Sequence, residues 1–140
     1  MILGIDFDGT IVTHKYPEIG LPISGAVETI KTVIENGHDV FLWTMRGGRL
    51  YDGRNLLDEA VQYCDENGIN LAGINRSPAQ FSTSPKQYAY RYIDDASIGC
   101  PLIQNNEMER PFVDWVKVGE LLVNDGFLTT EQFNNIWNNR

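Results

Sequence analysis

Three apolar runs in this chain each stop at an oxygen-bearing side chain, and that pattern restricts the fold more than any other feature. Residues 1–5 stop at Asp6, residues 40–43 stop at Thr44, and residues 88–93 stop at Asp94-Asp95. Short apolar runs closed by turn residues read as strands of a parallel sheet, buried on both faces. Helical spacing fills the intervals. Val27, Ile30, Val33 and Ile34 lie between a cap at Ser24 and a stop at Gly37. Leu57, Ala60, Val61 and Cys64 recur within 54–67, closed by Gly68. Residues 69–74 read as a third strand, 112–123 as a helix, and Thr129 or Thr130 caps a last helix carrying Phe133, Ile136 and Trp137. Arg91 interrupts the fourth strand, which shortens it or puts it near an edge, and residues 97–109 carry no pattern. This order is that of an α/β domain with a parallel sheet. Ligands of open α/β sheets bind outside the carboxyl ends of the strands, so Asp6, Thr44 and Asp94 are expected to share one edge.

The chain has 140 residues, the length of a single domain on the usual scale of roughly 100–200 residues. Its hydrophobic content of 42% and charged content of 21% suit a globular core. A formal charge of -8 opposes binding to long nucleic acids, whose backbone attracts basic surfaces. Cys64 and Cys100 have neither metal-ligand nor disulfide spacing, so a reducing, cytoplasmic setting is expected. No run approaches the roughly 20 apolar residues of a membrane span, and no secretory leader is visible at Met1.

Asp6-Phe7-Asp8-Gly9-Thr10 is the strongest motif. Carboxylates two apart in a turn after a strand reach one cavity, with Gly9 allowing the sharp bend. Asp94-Asp95 brings a second acidic pair from another strand end. Two carboxylates about 4 Å apart repel by about 4 kcal/mol at an effective dielectric of 20, so such a cluster calls for a hard cation or a raised pKa. Oxygen-only ligands favour Mg²⁺. A calcium-binding helix-loop-helix would need Gly and Glu where Ile11 and Pro17 stand, and a preceding helix rather than a strand.

Residues 2–11, Ile-Leu-Gly-Ile-Asp-Phe-Asp-Gly-Thr-Ile, resemble the first motif of the haloacid dehalogenase (HAD)-like superfamily of phosphatases. Thr44 resembles its second motif, Lys86 stands in the place of its lysine, and Tyr92-Ile93-Asp94-Asp95 resembles its acidic fourth motif. The resemblance implies a Rossmann-like three-layer α/β/α sandwich around a parallel sheet, and an Mg²⁺-dependent phosphohydrolase. Asp6 would be the nucleophile forming an aspartyl-phosphate, and Asp8 the acid for the leaving oxygen and then the base for water. Asp6, Asp8 (through its carbonyl) and Asp94 would hold the metal, with Asp95 a ligand through water or an outer-shell partner. Phe7, Asp8, Thr10, Thr44, Met45, Arg46 and Lys86 fall at phosphate- or substrate-binding positions, with Thr44 and Lys86 counted in the catalytic set. Members that cleave carbon–halogen bonds lack an acid at the position of Asp8, which disfavours dehalogenation here.

Residues 11–23 leave room for only a short flap, so the chain resembles the subclass without a large cap domain. A small phosphorylated substrate, such as a nucleotide or sugar phosphate, is expected. A phosphotransferase or mutase using the same nucleophile, and a non-catalytic Mg²⁺- or phosphate-binding module, are the alternatives. Arg46, Arg49 and Arg54 either meet a second anionic group of the substrate or face solvent, and Tyr16 is placed to meet substrate. His14 and His38 read as surface residues, and Trp43, Trp115 and Trp137 as core. The last helix has no assigned role, with packing on the core and self-association as the alternatives.

Overall fold

The computed structural model describes residues 1–77, 80, 82–104 and 110–138. The first apolar run forms β1 (Ile2–Ile5), an inner strand with β2 (Asp39–Leu42) on one side and β4 (Arg91–Ile93) on the other; β3 (Gly73–Ile74) lies beyond β2. All three pairings are parallel, and the register sets Ile5 beside both Leu42 and Ile93. The three strands therefore end level. The Asp6 amide bonds the Ile93 carbonyl and the Trp43 amide bonds the Ile5 carbonyl, which carries the ladder one residue past the strands. Asp6, Thr44 and Asp94 emerge at one sheet edge for this reason.

The described residues include four helices: α1 (Ala26–Glu35), α2 (Leu56–Glu66), α3 (Trp115–Asn124) and α4 (Thr130–Asn138). Helix α1 packs on β2, and α1, α3 and α4 pack on one another. The core joins Leu3, Ile5, Val40, Leu42 and Ile93 of the sheet to Ala26, Ile30, Val33, Ala60, Cys64, Val118 and Leu122 of the helices. Each large aliphatic side chain buried this way contributes about 1.5–3 kcal/mol. On the face bearing Gly4, a side chain at that position would meet Tyr92 and Gln87 at 2.9 and 3.0 Å, so the chain leading into β4 covers the sheet there. A parallel sheet flanked by helices in this order is compatible with a Rossmann-like fold.

Several boundaries differ from the sequence pattern. Helix α1 is entered through Gly25 at φ 83°, one residue after Ser24, and the Trp137 ring of α4 lies where a Gly25 side chain would be. Asn55 caps α2 by accepting from the Asp58 amide, and Thr129 and Gln132 bond each other reciprocally at the start of α4. Strand β3 is only two residues long; Ile69 is buried instead against the end of α2, its amide on the Cys64 carbonyl. Strand β4 is both short and at the sheet edge. Residues 112–113, expected to open a helix, instead form β6 (Phe112–Val113), paired antiparallel with β5 (Leu102–Ile103). Pro111 favours this extended entry, and Asp114 starts α3 by accepting from the Val116 and Lys117 amides. Residues 105–109 of the unpatterned stretch lie outside the described residues. Trp115 is fully buried, whereas Trp43 and Trp137 are half-buried. No helix among the described residues is long and apolar enough to cross a membrane.

Candidate functional site

Asp6 leaves the central strand and meets Asp94 and Asp95 from the neighbouring strand end. One carboxylate oxygen from each lies within 4.8 Å of the others, all three residues being half-buried. Burial, a side-chain hydrogen bond with Asp95 and the charge of Asp94 push the Asp6 carboxyl up to about 9. Thr10, fully buried, donates its hydroxyl to Asp6 Oδ2 at 3.3 Å and accepts the Asp95 amide at 3.4 Å. Trp115 anchors this turn by donating its indole N–H to the Thr10 carbonyl at 2.7 Å. A donor set of three oxygen ligands short of positive charge fits a hard divalent cation.

Asp8 takes no part in that cluster through its side chain. Its carboxylate lies in a two-pronged ion pair with Arg46, Nε to Oδ2 at 2.9 Å and Nη2 to Oδ1 at 2.8 Å. Arg46 also donates to the carbonyls of Glu18, Pro17 and Leu56. Its Cζ stands 5.2 Å from the Phe7 ring centroid and 5.3 Å from that of Tyr16. The Arg46 side chain has 0% exposure. All five of its N–H groups are engaged, so Arg46 faces the interior and not an incoming anion, contrary to the expectation from its place after Thr44.

Thr44 accepts the Arg46 amide at its hydroxyl, and its own amide bonds the Asn75 side chain, whose Nδ2 in turn donates to the Arg46 carbonyl. Asn75 thus braces the second loop from the end of β3, a role the sequence reading did not assign. Phe7 is a core side chain, whereas Met45 is 98% exposed. Lys86 is exposed, with its ammonium 5.6 Å from the Tyr92 ring centroid; no ion pair joins it to the aspartates among the described residues. Arg54 pairs with Glu18 and Glu59 and also bonds the Pro17 carbonyl, so it fastens the flap. Arg49 is exposed.

His14 is the second departure. It lies within the flap, and its Nε2 stands 2.7 Å from Asp95 Oδ2, with 14% and 6% of the two side chains exposed. The expectation of a surface histidine fails because the flap folds back over Gly9. His38, half-buried, contacts the Met1 amino group and the Phe127 ring at the opposite end of the strands.

No family model matches the chain, and no curated protein does. A solved structure of a conserved protein from Bacteroides thetaiotaomicron superposes with a TM-score of 0.70; it is 34% identical, over 89% of this chain and 91% of that one. At that identity and coverage, this chain belongs to the same family as the conserved Bacteroides protein.

Proposed function

We propose that this chain is a phosphohydrolase of the HAD-like superfamily, without a large cap domain, that attacks phosphomonoesters with the Asp6 carboxylate. The observation carrying this reading is the meeting of Asp6, Asp94 and Asp95 at the tips of two adjacent parallel strands, with Thr44 delivered by a third. The fold reading that accompanies it is a three-layer sandwich whose third layer is reduced to the chain that lays Gln87 under Gly4.

Asp6 Oδ forms a bond to phosphorus as the bond from phosphorus to the leaving oxygen breaks, which gives an aspartyl-phosphate. Water then attacks that phosphorus, releasing inorganic phosphate and restoring Asp6. The Thr44 hydroxyl and the Lys86 ammonium meet phosphoryl oxygens, and Thr10 keeps Asp6 aimed. Asp6, Asp94 and Asp95, with the Asp8 carbonyl, would hold Mg²⁺, whose charge offsets the repulsion between carboxylate and phosphate. Asp8 serves the leaving oxygen. Both of its carboxylate oxygens accept from Arg46, so delivering a proton requires that contact to loosen. A small phosphorylated metabolite, such as a nucleotide or sugar phosphate, suits the net charge of -8. The two free cysteines suit a reducing cytoplasm.

An aryl phosphate tests the reading directly, because its leaving group needs little protonation and the assay does not depend on Asp8. Phosphate release that requires Mg²⁺ and disappears in Asp6→Asn is expected. Undiminished release by Asp6→Asn, or in excess chelator, would overturn the mechanism.

A further inference from the structure

His14 reaches the aspartate cluster from the flap, and the chemistry above gives it no task. In the tautomer that carries its proton on Nε2, His14 donates to Asp95 Oδ2 across their 2.7 Å separation. The contact joins positions 81 residues apart and is largely shielded from water. Gly9 makes room for it. A Cβ at Gly9 would fall 2.1 Å from His14 Nε2 and 2.6 Å from Asp95 Oδ2, and its φ of 82° is itself costly for other residues. From the other side, the Asp95 amide is held by the Thr10 hydroxyl that also bonds Asp6. Asp95 is thus fixed at its backbone by Thr10 and at one carboxylate oxygen by His14.

With Oδ2 held by His14, Oδ1 is the Asp95 oxygen that His14 leaves to a cation, and the hydrogen bond that joins Asp95 to Asp6 gives way when one binds. That restriction discriminates between cations. Mg²⁺ demands near-octahedral geometry and takes carboxylates through one oxygen, whereas Ca²⁺ accepts two oxygens of one carboxylate in a larger, irregular shell. Resting on the reading of Asp6, Asp94 and Asp95 as a cation site, we propose that His14 is a positioning residue that holds Asp95 as a one-oxygen ligand and so biases the site towards Mg²⁺ over Ca²⁺. The flap then belongs to the metal site's outer shell and is more than a cover.

The test is calorimetric titration of chelator-treated protein with MgCl₂ and with CaCl₂, without substrate. Partners that orient ligands typically set metal affinity by about 10–100-fold, so His14→Ala should weaken Mg²⁺ by that factor and Ca²⁺ by much less. His14→Gln, whose amide can still donate to Asp95, should recover most of the Mg²⁺ affinity. In an Asp95→Asn background, His14→Ala should change nothing further, since it acts through that carboxylate. Equal losses for the two cations, unchanged Mg²⁺ affinity, or an undiminished effect in Asp95→Asn would each overturn the proposal. Should His14→Ala not fold by circular dichroism, the Mg²⁺/Ca²⁺ ratio of His14→Gln against His14→Asn decides it: Gln should hold the wild-type ratio and the shorter Asn should not, and equal ratios in the two overturn the idea. Wild-type protein that binds no Mg²⁺ would sink the cation site itself, a result distinct from one in which only the His14 variants fail to differ.

Discussion

Replacing Arg46 by Met should be the most damaging single change in the loops around the site. The guanidinium is sealed from solvent, and its five N–H groups meet both oxygens of Asp8 and the carbonyls of Pro17, Glu18 and Leu56. Met fills a similar volume between Phe7 and Tyr16 but leaves Asp8 with an uncompensated charge and takes one donor from each of three carbonyls. Removing one partner of a buried ion pair costs about 3–5 kcal/mol. Asp8 keeps 15% exposure, so partial hydration of the stranded carboxylate favours the lower end. A domain of this size has about 5–15 kcal/mol in total, and a loss of about 3 kcal/mol corresponds to a Tm lowered by roughly 10 °C. Thermal and urea unfolding followed by circular dichroism, in chelator so that no cation contributes, measures this. Arg46→Lys should recover less than half, because one ammonium cannot meet five acceptors spread in a plane. Combining Arg46→Met with Asp8→Asn should cost clearly less than the two changes summed, since the neutral amide no longer strands a charge. A loss under about 1 kcal/mol, with additive behaviour in the double variant, would refute the claim that this pair is buried and coupled.

Two further outcomes follow from the titratable groups. The folded-state pKa of Asp6 is raised from an ordinary 3.8 to about 9, so metal-free folded protein retains a proton that the unfolded chain releases. Its stabilising share is full below about pH 4 and is lost as pH rises towards 9; Asp6→Asn should flatten that part of the stability–pH curve, and parallel curves for the two proteins would contradict it. Burial pushes the Cys64 thiol up to about 12, so in a Cys100→Ser variant Cys64 should stay silent to a disulfide reagent at pH 8 until urea unfolds the chain. Labelling at the rate of a free thiol would show that α2 does not seal it.

The parts of the molecule that were legible in the sequence are those where one residue's chemistry announces its place. Asp6 and Asp94 stood out because each ends an apolar run, and strands of a parallel sheet deliver such residues to one edge. Arg91 marked β4 as short and peripheral because a charged side chain cannot sit in the middle of a sheet covered on both faces. The Asp8–Arg46 pair was hidden because three of the five acceptors of Arg46 are main-chain carbonyls, which every residue has. His14 was hidden because its partner is 81 residues away, although the need for Gly at position 9 was a trace of crowding there. Strands β5 and β6 are too short to show a period of two, and the apolar residues that follow Phe112 mimic a helical face. Asp114 was the available correction, since a capping residue after Pro111-Phe112-Val113 starts the helix three residues later than hydrophobicity does.

These hidden contacts share a location, and their sum bears on how a site without a large cap can be rigid. The flap closes on itself through Val12, whose bridges reach Asp8 and Pro22, and through Thr13, whose amide and hydroxyl bond Leu21. Its two ends sit in the core through Ile11, Val12 and Ile23, and the stretch between them is held mainly by polar contacts. Arg46 and Arg54 pin its middle by the Pro17 and Glu18 groups, and His14 pins its base to Asp95. Arg46 belongs to the loop after β2 and Asp95 to the turn after β4, so the flap ties together the two strand ends that flank β1. A movement of the flap would therefore disturb Asp8 and Asp95 together. On the proposed reading, the exposed rim, 55% for Tyr16 and 98% for Met45, is surface offered to substrate by a frame in which the Asp8–Arg46 contact is the part that must loosen.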